Sequence, residues 1–249
     1  MITHLLFDIE GTTCPTTFVS DVLFPYAYQH LEEFIDNHVN EHETQSIIKE
    51  LWEEWKIDND SISRRLYSET RRNQADAMQQ TCKYLKHLIT IDRKSSALKD
   101  LQGRIWAEGY KEGSIKANLY PETCSVLKKL HQQGQTLAVY SSGSIPAQKL
   151  LYRHTAEGDL TGLFRYWFDT HSGNKKESSS YRSITKSMQI SPQEICFISD
   201  SGDECDAASE AGMATVFSLR EGNPDQNPRG HQIIKSLTEL CEWVSSGQL

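Results

Sequence analysis

The chain has 249 residues, enough to bury a sizeable core as one large domain or two. Its 37% hydrophobic and 24% charged residues exclude a disordered chain, no stretch reaches the apolar length of a membrane span, and the start lacks the basic and extended apolar regions of a secretory signal. A formal charge of −8 argues against nucleic acid or a membrane surface as partner, so a bound phosphate needs local positive charge from a metal, a lysine or helix N-termini. In chain order, the first element is the short apolar run at residues 4–7, which reads as a buried parallel strand. It stops on Asp8, with Glu10, Gly11 and Thr12 next. Ligands of open α/β sheets bind at the carboxyl ends of such strands, which places Asp8 at a site, with Gly11 letting the backbone turn away. Carboxylates two residues apart suit divalent-metal binding and nucleophilic or acid–base chemistry, although an ordinary polar turn has the same look.

Residues 21–110 read as helix after helix. Ile47, Ile48, Leu51, Trp52 and Trp55 form one amphipathic face; Met78, Cys82, Leu85 and Ile89 another; Leu98, Leu101 and Ile105 a third. After Tyr120-Pro121 strands and helices alternate. A helix through Val126, Leu127 and Leu130 ends at Gly134, and strand 136–140 follows. Then come a helix from about Pro146, an extended piece around Tyr166-Trp167-Phe168, a helix from Tyr181, strand 195–198, a helix to Gly212, and strand 214–217. This alternation implies a parallel sheet flanked by helices, which the opening strand must join. The helical block is therefore an insertion: residues 1–19 and 113–249 make the α/β core, and residues 20–112 an all-helical cap. Residues 221–230, rich in Gly, Pro and Asn, read as a surface loop.

The six cysteines are scattered without a Cys-x-x-Cys pair, which suggests free thiols in a reducing cytoplasm. Cys82, Cys196 and Cys241 read as core; Cys14 and Cys205, near motif loops, read as open to oxidation. His38 and His42 have the spacing of a helical metal pair but lie in a polar run that reads better as a solvated face.

Three more stretches carry chemistry. Ser141 and Ser142 follow a strand and precede a helix, where hydroxyls and free N–H groups form a phosphate site or simply cap the helix. Lys175, in the polar loop Gly173-Asn174-Lys175-Lys176-Glu177-Ser178, can neutralise a nucleophile–phosphate pair. A second apolar strand ends on Asp200, with Asp203, Glu204 and Asp206 close behind. Such acids repel one another unless a cation or lysine intervenes, and hard oxygen ligands without His or Cys suit Mg²⁺. Helix-dipole preference accounts for Glu204 and Asp206 but not for an acid at the strand end.

Strand-end Asp8 with an acid at +2, then Ser141, Lys175 and Asp200, resembles the haloacid dehalogenase (HAD) superfamily of phosphohydrolases, in that family's order. The resemblance implies a HAD-like Rossmannoid α/β fold with a helical cap inserted after the first strand. Longer strings are similar to the enolase-phosphatase (acireductone synthase) family of methionine salvage. They are Asp8-Ile9-Glu10-Gly11-Thr12-Thr13, Phe18-Val19-Ser20-Asp21-Val22-Leu23-Phe24-Pro25-Tyr26, Gly109-Tyr110-Lys111-Glu112-Gly113, Tyr140-Ser141-Ser142-Gly143-Ser144 with Ala147-Gln148-Lys149-Leu150-Leu151, Gly158-Asp159-Leu160, Phe168-Asp169-Thr170 and Arg220-Glu221-Gly222-Asn223. The likeness runs from residue 8 to about 223 and thins between 37 and 94. Superfamily members usually carry Asp where this chain has Glu10.

This resemblance implies that Asp8 is the nucleophile, giving an aspartyl-phosphate that water hydrolyses. It implies one Mg²⁺ per subunit, held by the Asp8 carboxylate, the Glu10 main-chain carbonyl and the Asp200 carboxylate. Ser141 and Ser142 would bind phosphoryl oxygens and Lys175 would supply further positive charge. Glu204, more than Asp203, would stand behind this set. The substrate would be a small phosphate ester, a diketo-methylthiopentyl phosphate, first enolised and then dephosphorylated. Glu10 is the candidate proton shuttle, and the cap would close over the sheet edge and recognise the thioether. The alternatives are a capped phosphatase for another small phosphometabolite and a non-catalytic binding protein of the same fold. A cytoplasmic monomer is the default.

Overall fold

A computed structural model describes residues 1–72 and 74–249, in two compact units: Met1–Phe18 with Lys116–Leu249, and Val19–Ile115. The chain starts with β1 (His4–Phe7), whose Leu5, Leu6 and Phe7 are fully buried, as a strand covered on both faces requires.

The Val19–Ile115 unit is helical. A π-helical turn, Val19–Leu23, runs into α1 (Phe24–His38), where Pro25 occupies a first-turn position that needs no N–H. α2 (His42–Ile57), α3 (Ser61–Arg72), α4 (Ala77–Thr90) and α5 (Ser96–Glu112) follow. α1 packs on α4 and α5, α2 on α3 and α5, and α3 on α4. Leu31, Phe34, Leu51, Trp55, Leu85, Leu88, Leu101 and Ile105 supply the buried faces. Trp55 stacks on Tyr84 at 4.3 Å between ring centres and donates its indole N–H to Ser63 O at 2.8 Å. Ile47, Ile48 and Trp52, expected on the same face, are only half-buried. α5 is capped by Ser95, which accepts from Leu98 N, and ends on Gly113 at φ +78. Gly109 is fixed by proximity, since a Cβ there would lie 2.7 Å from the Tyr26 ring. His38 and His42 do not share a helix face: α1 ends at one and α2 begins at the other. His38 instead reaches Glu41 and Glu108, each at 2.7 Å.

The larger unit continues through α6 (Thr123–Gln132), β2 (Thr136–Tyr140), α7 (Ile145–Arg153), β3 (Phe164–Phe168) and α8 (Ser178–Met188). It then passes through β4 (Ile195–Ser199), α9 (Gly202–Glu210), β5 (Ala214–Ser218), β6 (Gln232–Ile234) and α10 (Leu237–Ser246). Among the described residues the strands form one six-stranded parallel sheet in the order β3-β2-β1-β4-β5-β6. The chain moves outward from β1 to β3, then returns to β1's other side with β4, so the order reverses at β1. A crevice at the carboxyl end of such a switch point is where open α/β sheets bind ligands. One core cluster joins Leu6, Ala138, Ile195 and Phe197 of the sheet to Tyr181, Ile184 and Met188 of α8 and to Ala207, Ala208 and Ala211 in and just after α9.

Three details differ from expectation. α8 begins at Ser178 rather than Tyr181; its serines read as loop by composition, yet Ser178 and Ser180 are buried. β6 is a three-residue edge strand, too short to show a period. The 221–230 stretch is not simply a surface loop, because Asn223 is buried and anchored inside the unit.

Candidate functional site

Register brings the chemistry together. Phe7 pairs with Val139 on one side and Ile198 on the other, so Asp8, Ser141 and Asp200 emerge at one edge of three adjacent strands. Asp8 N still donates to Ile198 O at 2.9 Å, prolonging β1 by one bond. Beyond it the chain coils tightly: the N–H groups of Thr12, Thr13 and Cys14 all donate to Ile9 O, and Gly11 N donates to Cys14 O. Gly11 sits at φ +73, and a Cβ there would lie 2.1 Å from Asp200 Oδ2. Both the turn and the close approach demand glycine. Thr13 Oγ1 is tied to the buried Tyr152 hydroxyl at 2.7 Å.

Lys175 is the charge centre. Its ammonium donates to Asp8 Oδ1, pairs with Glu204 Oε2 at 2.7 Å, and lies 5.6 Å from the Tyr140 ring centre. The lysine is 6% exposed, and its own carbonyl accepts from the Tyr181 hydroxyl at 2.7 Å. Burial alone would lower its pKa; the Asp8 and Glu204 carboxylates more than reverse this and hold it charged. Lys176, the other lysine of the loop, points to exposed Asp203 at 2.7 Å. Asp203 also meets Arg229, so it stands in a surface ion-pair group, whereas Glu204 bonds Ser199 Oγ at 2.8 Å behind the lysine.

Burial pushes the Asp8 carboxyl well above the usual carboxylate range; Glu204 and Asp200 add to this, against Lys175. Burial likewise pushes Asp200 up to about 7, with Glu204 and Glu10 contributing. Acids therefore outnumber the one buried lysine, and the surplus negative charge fits a divalent cation held by oxygen donors. Among the described residues no three His, Cys, Asp or Glu side chains converge on one point. A donor set of two carboxylates and a main-chain carbonyl needs no third side chain.

Ser144, not Ser141 or Ser142, is the N-cap of α7, accepting from Ala147 N at 3.5 Å. Ser141 is buried at the strand end with its N–H on Phe168 O, and Ser142 is exposed. Ser142, Thr170, Gly173, Asn174, Lys175, Lys176 and Glu204 line a cavity of about 420 Å³, roomy enough for a phosphoryl group and part of its ester.

Cys14 and Cys205 are corrected: both are buried, and burial raises both thiols far above their ordinary value, so neither is a ready site of oxidation. Sequence reasoning also missed the groups behind the Asp8 loop. Gly11 O accepts from Ser218 Oγ at 3.0 Å and from Asn223 Nδ2 at 2.9 Å, and Thr12 O accepts from Arg220 at 3.3 Å. Arg220 stacks on Tyr120 at 3.9 Å and pairs with Glu122 at 2.8 Å. The available signal was the Arg220-Glu221-Gly222-Asn223 string, which composition alone reads as a loop.

The chain matches the haloacid dehalogenase-like hydrolase family over residues 2–212. It is 60% identical to enolase-phosphatase E1 of Prochlorococcus marinus (strain MIT 9313), over 98% of this chain and 100% of that protein. It is 53% identical to enolase-phosphatase E1 of Parasynechococcus marenigrum (strain WH8102), over 98% and 99%. Among solved structures it is similar to the UTR4 protein of Saccharomyces cerevisiae, with 31% identity and a TM-score of 0.75 over 95% of this chain and 98% of that one.

Proposed function

Because the chain belongs to the haloacid dehalogenase-like hydrolases, and within them to the enolase-phosphatase E1 family, we propose that it enolises and then dephosphorylates a diketo-methylthiopentyl phosphate, releasing the acireductone of methionine salvage. The observation that carries the reading is the buried Asp8–Lys175 pair at the sheet's switch point, with Asp200 at the end of the next strand. Asp8 Oδ attacks phosphorus in line; a P–O bond forms to the carboxylate as the bond to the substrate oxygen breaks. That oxygen leaves as an enediolate that takes a proton from water to become the enediol hydroxyl, and a second water then cleaves the aspartyl-phosphate to inorganic phosphate and free Asp8. Lys175 favours the ionised form of Asp8 against the burial that raises its carboxyl, and offers its ammonium to the phosphoryl oxygens, with the Ser141 and Ser142 hydroxyls as further donors.

Mg²⁺, one per subunit, would be held by the Asp8 and Asp200 carboxylates and the Glu10 main-chain carbonyl, where it supplies charge neutralisation between nucleophile and phosphate. Glu204 positions Lys175 from behind. Glu10 takes the proton from the carbon next to the substrate carbonyl, its side chain one methylene longer than the Asp common in the superfamily.

The test incubates the protein with the diketo-methylthiopentyl phosphate and Mg²⁺, following phosphate release and the ultraviolet absorbance of the enediol, with Asp8→Asn as control. Both signals, lost together without metal, support the reading. Phosphate release from simple esters but none from this compound would move it to a phosphatase for another small metabolite.

A further inference from the structure

The end of β5 and the loop after it tie together the two acid-bearing turns of the site. From one side, Ser218 Oγ and Asn223 Nδ2 donate to Gly11 O, and Arg220 donates to Thr12 O. From the other, Asp225 Oδ2 accepts from Gly202 N at 2.8 Å, at the start of the helix that follows Asp200. Asn223 is 6% exposed and its Nδ2 also donates to Ser218 O at 3.2 Å. Two carbonyl acceptors fix the orientation of the carboxamide, since only its NH₂ can serve both. Among the described residues Asn223 Oδ1 has no hydrogen-bond partner, although it is buried. The carboxamide thus acts here as a donor alone.

What these donors hold is a peptide next to the site. Gly11 is the residue whose Cα comes so near Asp200 that a Cβ would meet Oδ2, and the carbonyl one peptide earlier is that of Glu10. Rotation about Gly11, which has no Cβ to restrain it and sits at φ +73, would re-aim the Glu10 carbonyl and change the spacing between the Asp8 turn and Asp200. Gly11 N is held by Cys14 O, and pinning Gly11 O from the far side adds a second restraint on that rotation.

We propose that Asn223, with Ser218, is a positioning residue that sets the Glu10 carbonyl and the Asp8–Asp200 spacing for the cation; this rests on the Mg²⁺-dependent reading above. Outer partners of metal ligands characteristically change affinity or activity by about 10–100-fold when removed. Asn223→Asp is nearly isosteric but replaces donation to two carbonyls by repulsion; Asn223→Ala removes the two donations without the repulsion, and Ser218→Ala removes one.

The experiment titrates Mg²⁺ alone into each full-length variant by calorimetry, then measures kcat and KM with the proposed substrate well below each melting temperature. Leu240→Ala, a buried α10 position, serves as a destabilised control. The expected result is an Mg²⁺ affinity about tenfold or more weaker in Asn223→Asp, with kcat reduced more than KM is raised and a smaller effect in Ser218→Ala, while Leu240→Ala binds Mg²⁺ normally. Should Asn223→Asp fail to fold, Asn223→Ala and Ser218→Ala carry the same reading. Wild-type Mg²⁺ affinity and kcat in the folded Asn223 variants, beside a wild type that binds and turns over, would overturn the positioning role and leave the catalytic reading intact. A wild type that neither binds Mg²⁺ nor releases phosphate would remove both.

Discussion

Gly11 and Asp200 face each other across the site at a distance that leaves no room for one methyl group: a Cβ on Gly11 would stand 2.1 Å from Asp200 Oδ2. Gly11→Ala also places a side chain at φ +73, which costs about 1–2 kcal/mol on its own. The variant is expected to fold with a lowered melting temperature and to lose about 10²-fold or more in kcat, because the two acid-bearing turns are pushed apart. Steady-state kinetics with a melting curve checks this; wild-type turnover would mean that the turns tolerate separation.

Lys175 answers to two carboxylates at once, Asp8 and Glu204, inside a buried pocket. Lys175→Met keeps the stem and removes the charge. Phosphate release should fall by about 10²–10³-fold, the scale for one preorganised donor at a developing charge. Lys176 also lines the cavity, but its ammonium is engaged by Asp203 in an exposed pair, and Lys176→Met should stay within about twofold of wild type. Equal losses in the two variants would make the loop's charge, rather than the position of Lys175, the operative quantity.

The contrast between these neighbours shows what the chain makes legible. Asp8 and Asp200 stand out because a buried strand tolerates no charge, so an acid ending an apolar run marks a sheet edge. Lys175 is distinguished from Lys176 only by a resemblance, since both are lysines in a polar loop and tertiary packing decides which is buried. The roles of the Ser218, Arg220 and Asn223 donors do not follow from composition, for another reason. The Gly, Pro and Asn content that marks a surface loop also suits a loop folded inward, and the difference lies in carbonyls presented by residues more than 200 positions away. For His38 and His42 the polar run is the better guide than the spacing, which presumes a continuous helix, and a break falls between them.

In the helical unit, acid sensitivity is expected to concentrate on Asp60. Its carboxylate accepts from Ser63 N and Ile62 N, each at 3.0 Å, and from His87 Nε2 at 2.8 Å. The Ser63 N–H, then His87, hold its pKa down to about 2 from an ordinary 3.8. A depressed carboxylate contributes stability that is complete above its unfolded value and is lost as pH falls through the folded one. Asp60→Asn should therefore be less stable than wild type by a constant margin above about pH 5, narrowing between about pH 4 and 2. Urea midpoints across that range measure the margin; one that widens on acidification would contradict the assignment.

In the proposed mechanism Glu10 is the residue on which the two halves of the reaction divide. There its main-chain carbonyl would serve the cation whatever the side chain is, whereas proton transfer would need the carboxylate. Glu10→Gln changes only the second. Enediol formation from the diketo-methylthiopentyl phosphate should fall by about 10²–10⁴-fold, the usual contribution of a positioned general base. Phosphate release from that compound should fall in parallel, because enolisation comes first. Release from a simple ester such as p-nitrophenyl phosphate, which needs no enolisation, should stay within a few-fold of wild type, and so should Mg²⁺ affinity by calorimetry. Parallel loss on both substrates would place Glu10 in the phosphoryl-transfer step instead, and full enolisation by Glu10→Gln would assign the proton to another base.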